Sequence, residues 1–213
     1  MRRTTATVSA LLLSLVTACT GHSDSPTTGA TSSQLSEKQL EGAALTVSDL
    51  PSGWKTEPED TSTDDTAPGD ATCEQRFAAI RASREGGTGF RHEFVLVPTD
   101  HLSQSLRSYP SAAGADAVLT AARSLLKACH SFPVTEDGET ATFTLAPATF
   151  PGLPDDAVGG TLVIHSTFDY HAEFVFAPSG QTVELLFRLG LEAMPNSTFG
   201  KLAKTSLDRL PKA

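Results

Sequence analysis

Thr161-Leu162-Val163-Ile164-His165-Ser166-Thr167-Phe168-Asp169-Tyr170-His171-Ala172-Glu173-Phe174-Val175-Phe176-Ala177 holds neither glycine nor proline and alternates along its length. Leu162, Ile164, Phe168, Tyr170, Phe174 and Phe176 share one parity, while Thr161, His165, Thr167, Asp169, His171 and Glu173 share the other. A period of two puts these sets on opposite faces of a β-strand. The stretch is one long strand, or two strands turned near Ser166 to Asp169. Pro178-Ser179-Gly180 then turns the chain into a further strand, Thr182 to Leu191, with Val183, Leu185, Phe187, Leu189 and Leu191 facing inward.

Working outward, Thr140 to Ala146 alternates with Ala141, Phe143 and Leu145 on one face, and a Pro/Gly-rich loop covers Pro147 to Gly160. Phe90 to Val97 and Leu102 to Tyr109 read as two more strands. Ser111 to Cys129 is the longest helix, with Val118, Ala122, Leu125 and Cys129 as its buried stripe. His130 and Lys127 lie at its negative end, and Phe132-Pro133 stops it. A shorter helix follows Thr72-Cys73-Glu74-Gln75, spaced as a capping box, and carries Cys73, Phe77 and Ile80 inward. Ser36 and Gln39 repeat that spacing at the head of a helix reaching about Leu45. Asn196 or Ser197 caps a closing helix whose stripe is Phe199, Leu202, Ala203, Ser206, Leu207 and Leu210. Helices and hairpin-linked strands in this order predict an α+β domain: an antiparallel (mixed) sheet packed on one face by helices, with a groove.

The N-terminus specifies an address. Arg2-Arg3, an apolar run from Ala6 to Val16 and small residues before Cys19 are built like a secretory leader. The run falls short of the roughly 20 residues a spanning helix needs. Val16-Thr17-Ala18-Cys19 resembles the lipobox of bacterial lipoproteins, in which the cysteine thiol is acylated and becomes the new N-terminus. The expected organisation is a leader over 1–18, a flexible Thr/Ser-rich tether over 19–34, and one domain over 35–213. The partner of Cys19 is then the membrane, and the domain stands at the extracellular face of the cell membrane.

Charge limits the remaining partners. The chain has 16 Lys plus Arg against 25 Asp plus Glu, and loss of Arg2 and Arg3 moves the net charge from −9 to −11. Nucleic acid is excluded as a partner on that ground, and the protein's own field repels anionic headgroups. Of three cysteines, lipidation leaves Cys73 and Cys129, both on apolar helix faces in an oxidising compartment, and a disulfide between them is expected.

The sequence holds no G-x-S-x-G elbow, no H-E-x-x-H and no phosphate or dinucleotide glycine pattern, so neither an enzyme nor a cofactor is expected. Gly86-Gly87-Thr88-Gly89 is a turn. The one constellation suggesting chemistry is His165, His171 and Glu173, with His92, a set that would suit an exported metal-dependent hydrolase. Along one strand His165 and His171 stand about 20 Å apart, so only the turned version brings them near.

Leu45 to Trp54 with its Asp-Leu-Pro-Ser-Gly-Trp, Gln104 to Tyr109 leading into the helix that ends at Cys129-His130-Ser131-Phe132, and the last hairpin and helix carry a resemblance. Over most of Leu35 to Ala213 the chain resembles the PknH-like extracellular sensor domains of mycobacterial kinases and of actinobacterial lipoproteins that carry the domain without a kinase. The resemblance implies a non-enzymatic α+β domain whose groove takes a ligand outside the cell. Members commonly have more than one disulfide, whereas this chain can make one after lipidation, and no kinase region is in the sequence.

The expected function is therefore a sensor-like binding module for a small ligand or a cell-envelope protein. Trp54, Tyr109, Tyr170, His171 and Arg188 are its candidate ligand-binding residues, the aromatic and polar groups expected to be uncovered. A lipid carrier is the further alternative and requires a large apolar cavity.

Overall fold

A turn at Ser166–Phe168 breaks the alternating stretch, so two strands form, β6 (Val158–His165) and β7 (Asp169–Ser179), paired from His165↔Asp169 to Val158↔Phe176. Glycine at position 180, with φ +59°, then turns β7 into β8 (Thr182–Gly190), starting from Ser179↔Thr182. The computed structural model describes residues 34–57, 70–97, 99–136 and 139–211. The expected leader over 1–18, Cys19 and residues 20–33 of the expected tether lie outside the described residues, as do residues 58–69.

The remaining strands are β1 (Lys55–Glu57), β2 (Thr88–Leu96), β3 (Asp100–Ser108), β4 (Ser131–Glu136) and β5 (Glu139–Ala148). They build one eight-stranded sheet in the order β1-β2-β3-β8-β7-β6-β5-β4, antiparallel at every pairing. β4 was not expected, because Phe132-Pro133 reads as a stop. It is an edge strand on which exposed Pro133 leaves no central ladder short of a donor. The helices are α1 (Glu37–Ala43), α2 (Ala71–Ser83), α3 (Ala112–Ala128) and α4 (Asn196–Leu207). None among the described residues is long and apolar enough to cross a membrane.

Local signals set most helix ends. Ser36 caps α1, its N–H donating to Gln39 Oε1 at 2.9 Å as the capping box requires. At α2 the cap is Asp70, whose carboxylate accepts from Cys73 N at 2.9 Å, so the expected start at Thr72 moves two residues back. At α4 Pro195 holds the cap position, and Asn196 donates instead to Thr149 O at 3.2 Å.

The α+β class holds, and helices cover both faces of the sheet rather than one. On the first face α2 and α3 pack on Phe174, Phe176, Val183, Leu145 and Phe132. The Cys73–Cys129 disulfide joins them, with Cα atoms 5.6 Å apart and 56 residues between. Closing that loop contributes about 4 kcal/mol in the chain-entropy model. On the second face α4 lays Phe199, Leu202 and Ala203 on Phe94, Leu102, Val175 and Leu186, while α1 covers Leu106.

The second layer stands on a face that carries polar side chains, and most of their polar atoms find partners within the fold. Gln104 accepts from Leu45 N at 2.8 Å and donates to Glu184 Oε1 at 2.6 Å, and Ser206 of α4 donates to the same oxygen. Arg188 reaches Glu173, Asp100 and the Glu192 carbonyl, and Glu173 also accepts from Met194 N at 2.8 Å. A Cβ at Gly190 would run into the Arg188 guanidinium and the Asp100 carboxylate, so glycine makes room for that pair.

Candidate functional site

The two helices of the first face do not reach the far end of the sheet. Beyond them, strands β4 to β8 leave a groove of about 880 Å³, floored by Phe143, Ile164, Tyr170 and Leu189 and walled by Val134 and Thr140. The floor follows from the register: Phe143↔Ile164 and Ile164↔Tyr170 are cross-strand partners, so three neighbouring strands present apolar side chains to one concavity. All four floor residues are half-buried. Ser166 and Thr167 of the β6–β7 turn form the rim, and Phe168 between that turn and β7 is 66 % exposed.

A second pocket on the same face, about 230 Å³, lies under α2 between Phe77, Ile80, Leu185 and Phe187, with Arg84 and Arg81 at its edge. Its Leu145, Leu162 and Phe187 each lie two residues along their strands from Phe143, Ile164 and Leu189 of the groove. That offset is about 7 Å, so the pocket and the groove follow each other along one sheet face.

The residues expected to be uncovered divide unevenly. Tyr170 lies in the groove. His171, one residue on, belongs to the opposite face, because it shares parity with Glu173 and Val175. The expectation of exposure is corrected for Trp54, Tyr109 and Arg188. Trp54 is 5 % exposed in the core beneath α4, Tyr109 is 3 % exposed against α3, and Arg188 is 5 % exposed in its ion triad. Leu191 turns outward, 43 % exposed, because β8 has ended at Gly190. Sequence reasoning missed Phe143, Ile164 and Leu189 as groove residues, reading each as ordinary core.

The metal constellation does not assemble. The turned arrangement is present, but His165 Nδ1 sits 3.1 Å from Asp169 Oδ1, and His171 is cross-strand to Val163. Glu173 is committed to Arg188 and Met194 N. His92, on β2, is three strands from β7, with Nδ1 3.3 Å from the Leu45 carbonyl and its ring 4.5 Å from Phe94. Among the described residues no group of three or more His, Cys, Asp or Glu could hold a metal ion. The concavities described, of about 880 and 230 Å³, are open grooves beside a packed core.

No family model and no curated protein matches the sequence. Solved structures do match. A putative uncharacterized protein of Mycobacterium smegmatis, the Rv0999 ortholog, aligns over 80 % of this chain and 96 % of its own at 8 % identity, with a TM-score of 0.44. The extracellular domain of PknH from Mycobacterium tuberculosis aligns over 83 % of this chain and 97 % of its own at 16 % identity, with a TM-score of 0.64. The chain is therefore similar in fold, across nearly the whole of that domain, to the extracellular domain of PknH.

Proposed function

We propose that this chain is a membrane-anchored, extracytoplasmic, non-enzymatic binding module of the sensor-like kind, taking a small ligand or a segment of a cell-envelope protein in the groove over β4 to β8. The observation that carries this reading is the groove itself. A packed α+β domain ordinarily covers the apolar face of its sheet, and here Phe143, Ile164, Tyr170 and Leu189 stay half-open to a concavity of about 880 Å³. Similarity in fold to a domain described as extracellular agrees with the secretory leader.

A neutral fluorescent probe tests the groove. N-phenyl-1-naphthylamine is expected to bind the full chain saturably, and Ile164→Glu, which puts a charge on the groove floor, to weaken it about tenfold. Lys201→Glu, on the exposed side of α4, is the control expected to leave binding unchanged. Equal binding by the wild type and Ile164→Glu, at an unchanged melting temperature, removes the groove from the function.

Display at the membrane rests on Cys19. Labelled palmitate is expected to enter the protein in growing cells, and Cys19→Ser to abolish both the label and retention in the membrane fraction, since two acyl chains anchor stably where a single chain is marginal. Retention of the serine form would break the link between that thiol and the address.

A further inference from the structure

At the end of α2 the same sheet face changes from apolar to cationic. Arg84, the residue that ends α2, is half-buried and donates to Ser105 Oγ at 2.8 Å. Arg107 of β3 lies flat over its neighbour strand: a Cβ at Gly87 would come within 2.7 Å of its Cγ, and one at Gly89 within 2.9 Å of Nη2. The two glycines form the trough for that guanidinium, which Gly87 O holds at 2.9 Å from Nη1.

Arg91, cross-strand to Ser105, is the third cation on this basin of about 490 Å³. It pairs with Glu93. Exposed Glu37 is the one carboxylate among the basin's described lining residues. Arg84 and Arg107 form no ion pair with a carboxylate among the described residues. Arg107 Nε is a buried donor without an acceptor among the described residues.

Packing two guanidinium groups together carries an electrostatic cost. An arginine does not escape burial by losing its proton. Burial and the charges of Arg107 and Arg91 all oppose the charge on Arg84. In a chain of net charge −9, Arg84 and Arg107 line one basin with no ion pair to a carboxylate among the described residues. An oxyanion supplies what each of them lacks, and the paired guanidinium forks match its geometry. The apolar pocket of about 230 Å³ opens beside Arg84, which lines both concavities.

We propose that Arg84 and Arg107 form an oxyanion site for an anionic amphiphile, whose phosphate or carboxylate head lies on the two arginines and whose apolar tail enters the pocket under α2. This site shares no lining residue with the groove over β4 to β8 and adds a second binding place on the same sheet face.

Calorimetric titration of the full chain in detergent-free buffer, with octyl phosphate, octanol and inorganic phosphate as probes, separates the two. Octyl phosphate is expected to bind one to one and about tenfold tighter than either of the others, since only it uses both the cationic and the apolar walls. Raising the salt from about 50 to about 500 mM weakens octyl phosphate several-fold and leaves octanol unchanged. Arg84→Gln with Arg107→Gln abolishes the preference over octanol, and Arg84→Gln alone reduces it. Octanol binding as tightly as octyl phosphate overturns the oxyanion site and leaves the groove reading standing. Inorganic phosphate binding as tightly as octyl phosphate overturns the amphiphile. Failure of all three probes overturns the oxyanion site, while the groove over β4 to β8 stands or falls on the naphthylamine titration. The salt series on the wild type gives its answer without any variant having to fold.

Discussion

Arg188→Met is expected to cost about 3 to 5 kcal/mol of folding free energy, read as a fall in the urea midpoint at unchanged slope. Arg188 is 5 % exposed, and its guanidinium bridges Glu173, itself 1 % exposed, to Asp100 on the neighbouring strand. Methionine fills much of the same volume, so little of the loss comes from a cavity. What remains is the Glu173 carboxylate, buried with the Met194 N–H as its remaining donor among the described residues. Removing one partner of a buried pair strands the other charge, and that desolvation dominates the cost. Arg188→Met with Glu173→Gln is therefore expected to recover more than half of it. The solvent-side pair Arg209–Asp49, at 2.5 Å with the arginine 36 % exposed, is the comparison, at about 0 to 1 kcal/mol. A loss at Arg188 of that smaller size would mean the triad holds nothing together, and would return Arg188 to the pool of binding residues.

Arg188 also shows what the sequence makes legible. The parity of Leu162, Phe174 and Phe176 reports a core face directly, and the spacing of Val118, Ala122 and Leu125 reports the α3 stripe; both are local periodicities that survive folding. The opposite parity carries Glu173, and its neighbours in β8 and β3 carry Glu184, Arg188 and Gln104. Read one at a time, each of these looks solvated. Three of them pair with residues 80 or more positions away, Gln104 with Glu184 and Arg188 with Asp100, and Glu173 is buried by its pairing with that same Arg188; no local pattern encodes such partners. The same limit hid the central β3–β8 pairing, and with it the second helical layer.

The candidate sites divide along the same line. Tyr170 was legible because it sits in the alternating strand, at the end that α3 does not cover. The cationic basin was not, because Arg84 closes a helix, Arg107 lies on a strand, and only the β2–β3 register with its glycines sets them side by side.

Glu184 is expected to make the protein less stable as pH rises from about 4.5 to about 7, by about 3 kcal/mol across that window. The carboxyl is fully buried, and its surroundings push its pKa from 4.5 up to about 7, because burial outweighs the hydrogen bonds from Ser206 and Gln104 that favour ionisation. Between those two values the folded chain still holds the proton that the unfolded chain has released. The folded state thus binds more protons, and stability falls with pH. Below about 4.5 both states are protonated and the contribution is complete; above about 7 both are ionised and the loss has been taken in full. Asp49 acts in the other direction and elsewhere on the scale: the hydrogen bond from Arg209 draws its pKa down to about 2, so its contribution fades only as pH falls below about 4. The two windows do not overlap, which leaves Glu184 to be read separately. Glu184→Gln keeps the Oε1 acceptor for Gln104 and Ser206 but cannot ionise. Its urea midpoint should track the wild type near pH 5 and exceed it at pH 8. Parallel pH profiles for the two proteins would mean that the wild-type carboxylate is already ionised in the folded core, and that the Gln104–Ser206 pair stabilises its charge better than burial opposes it.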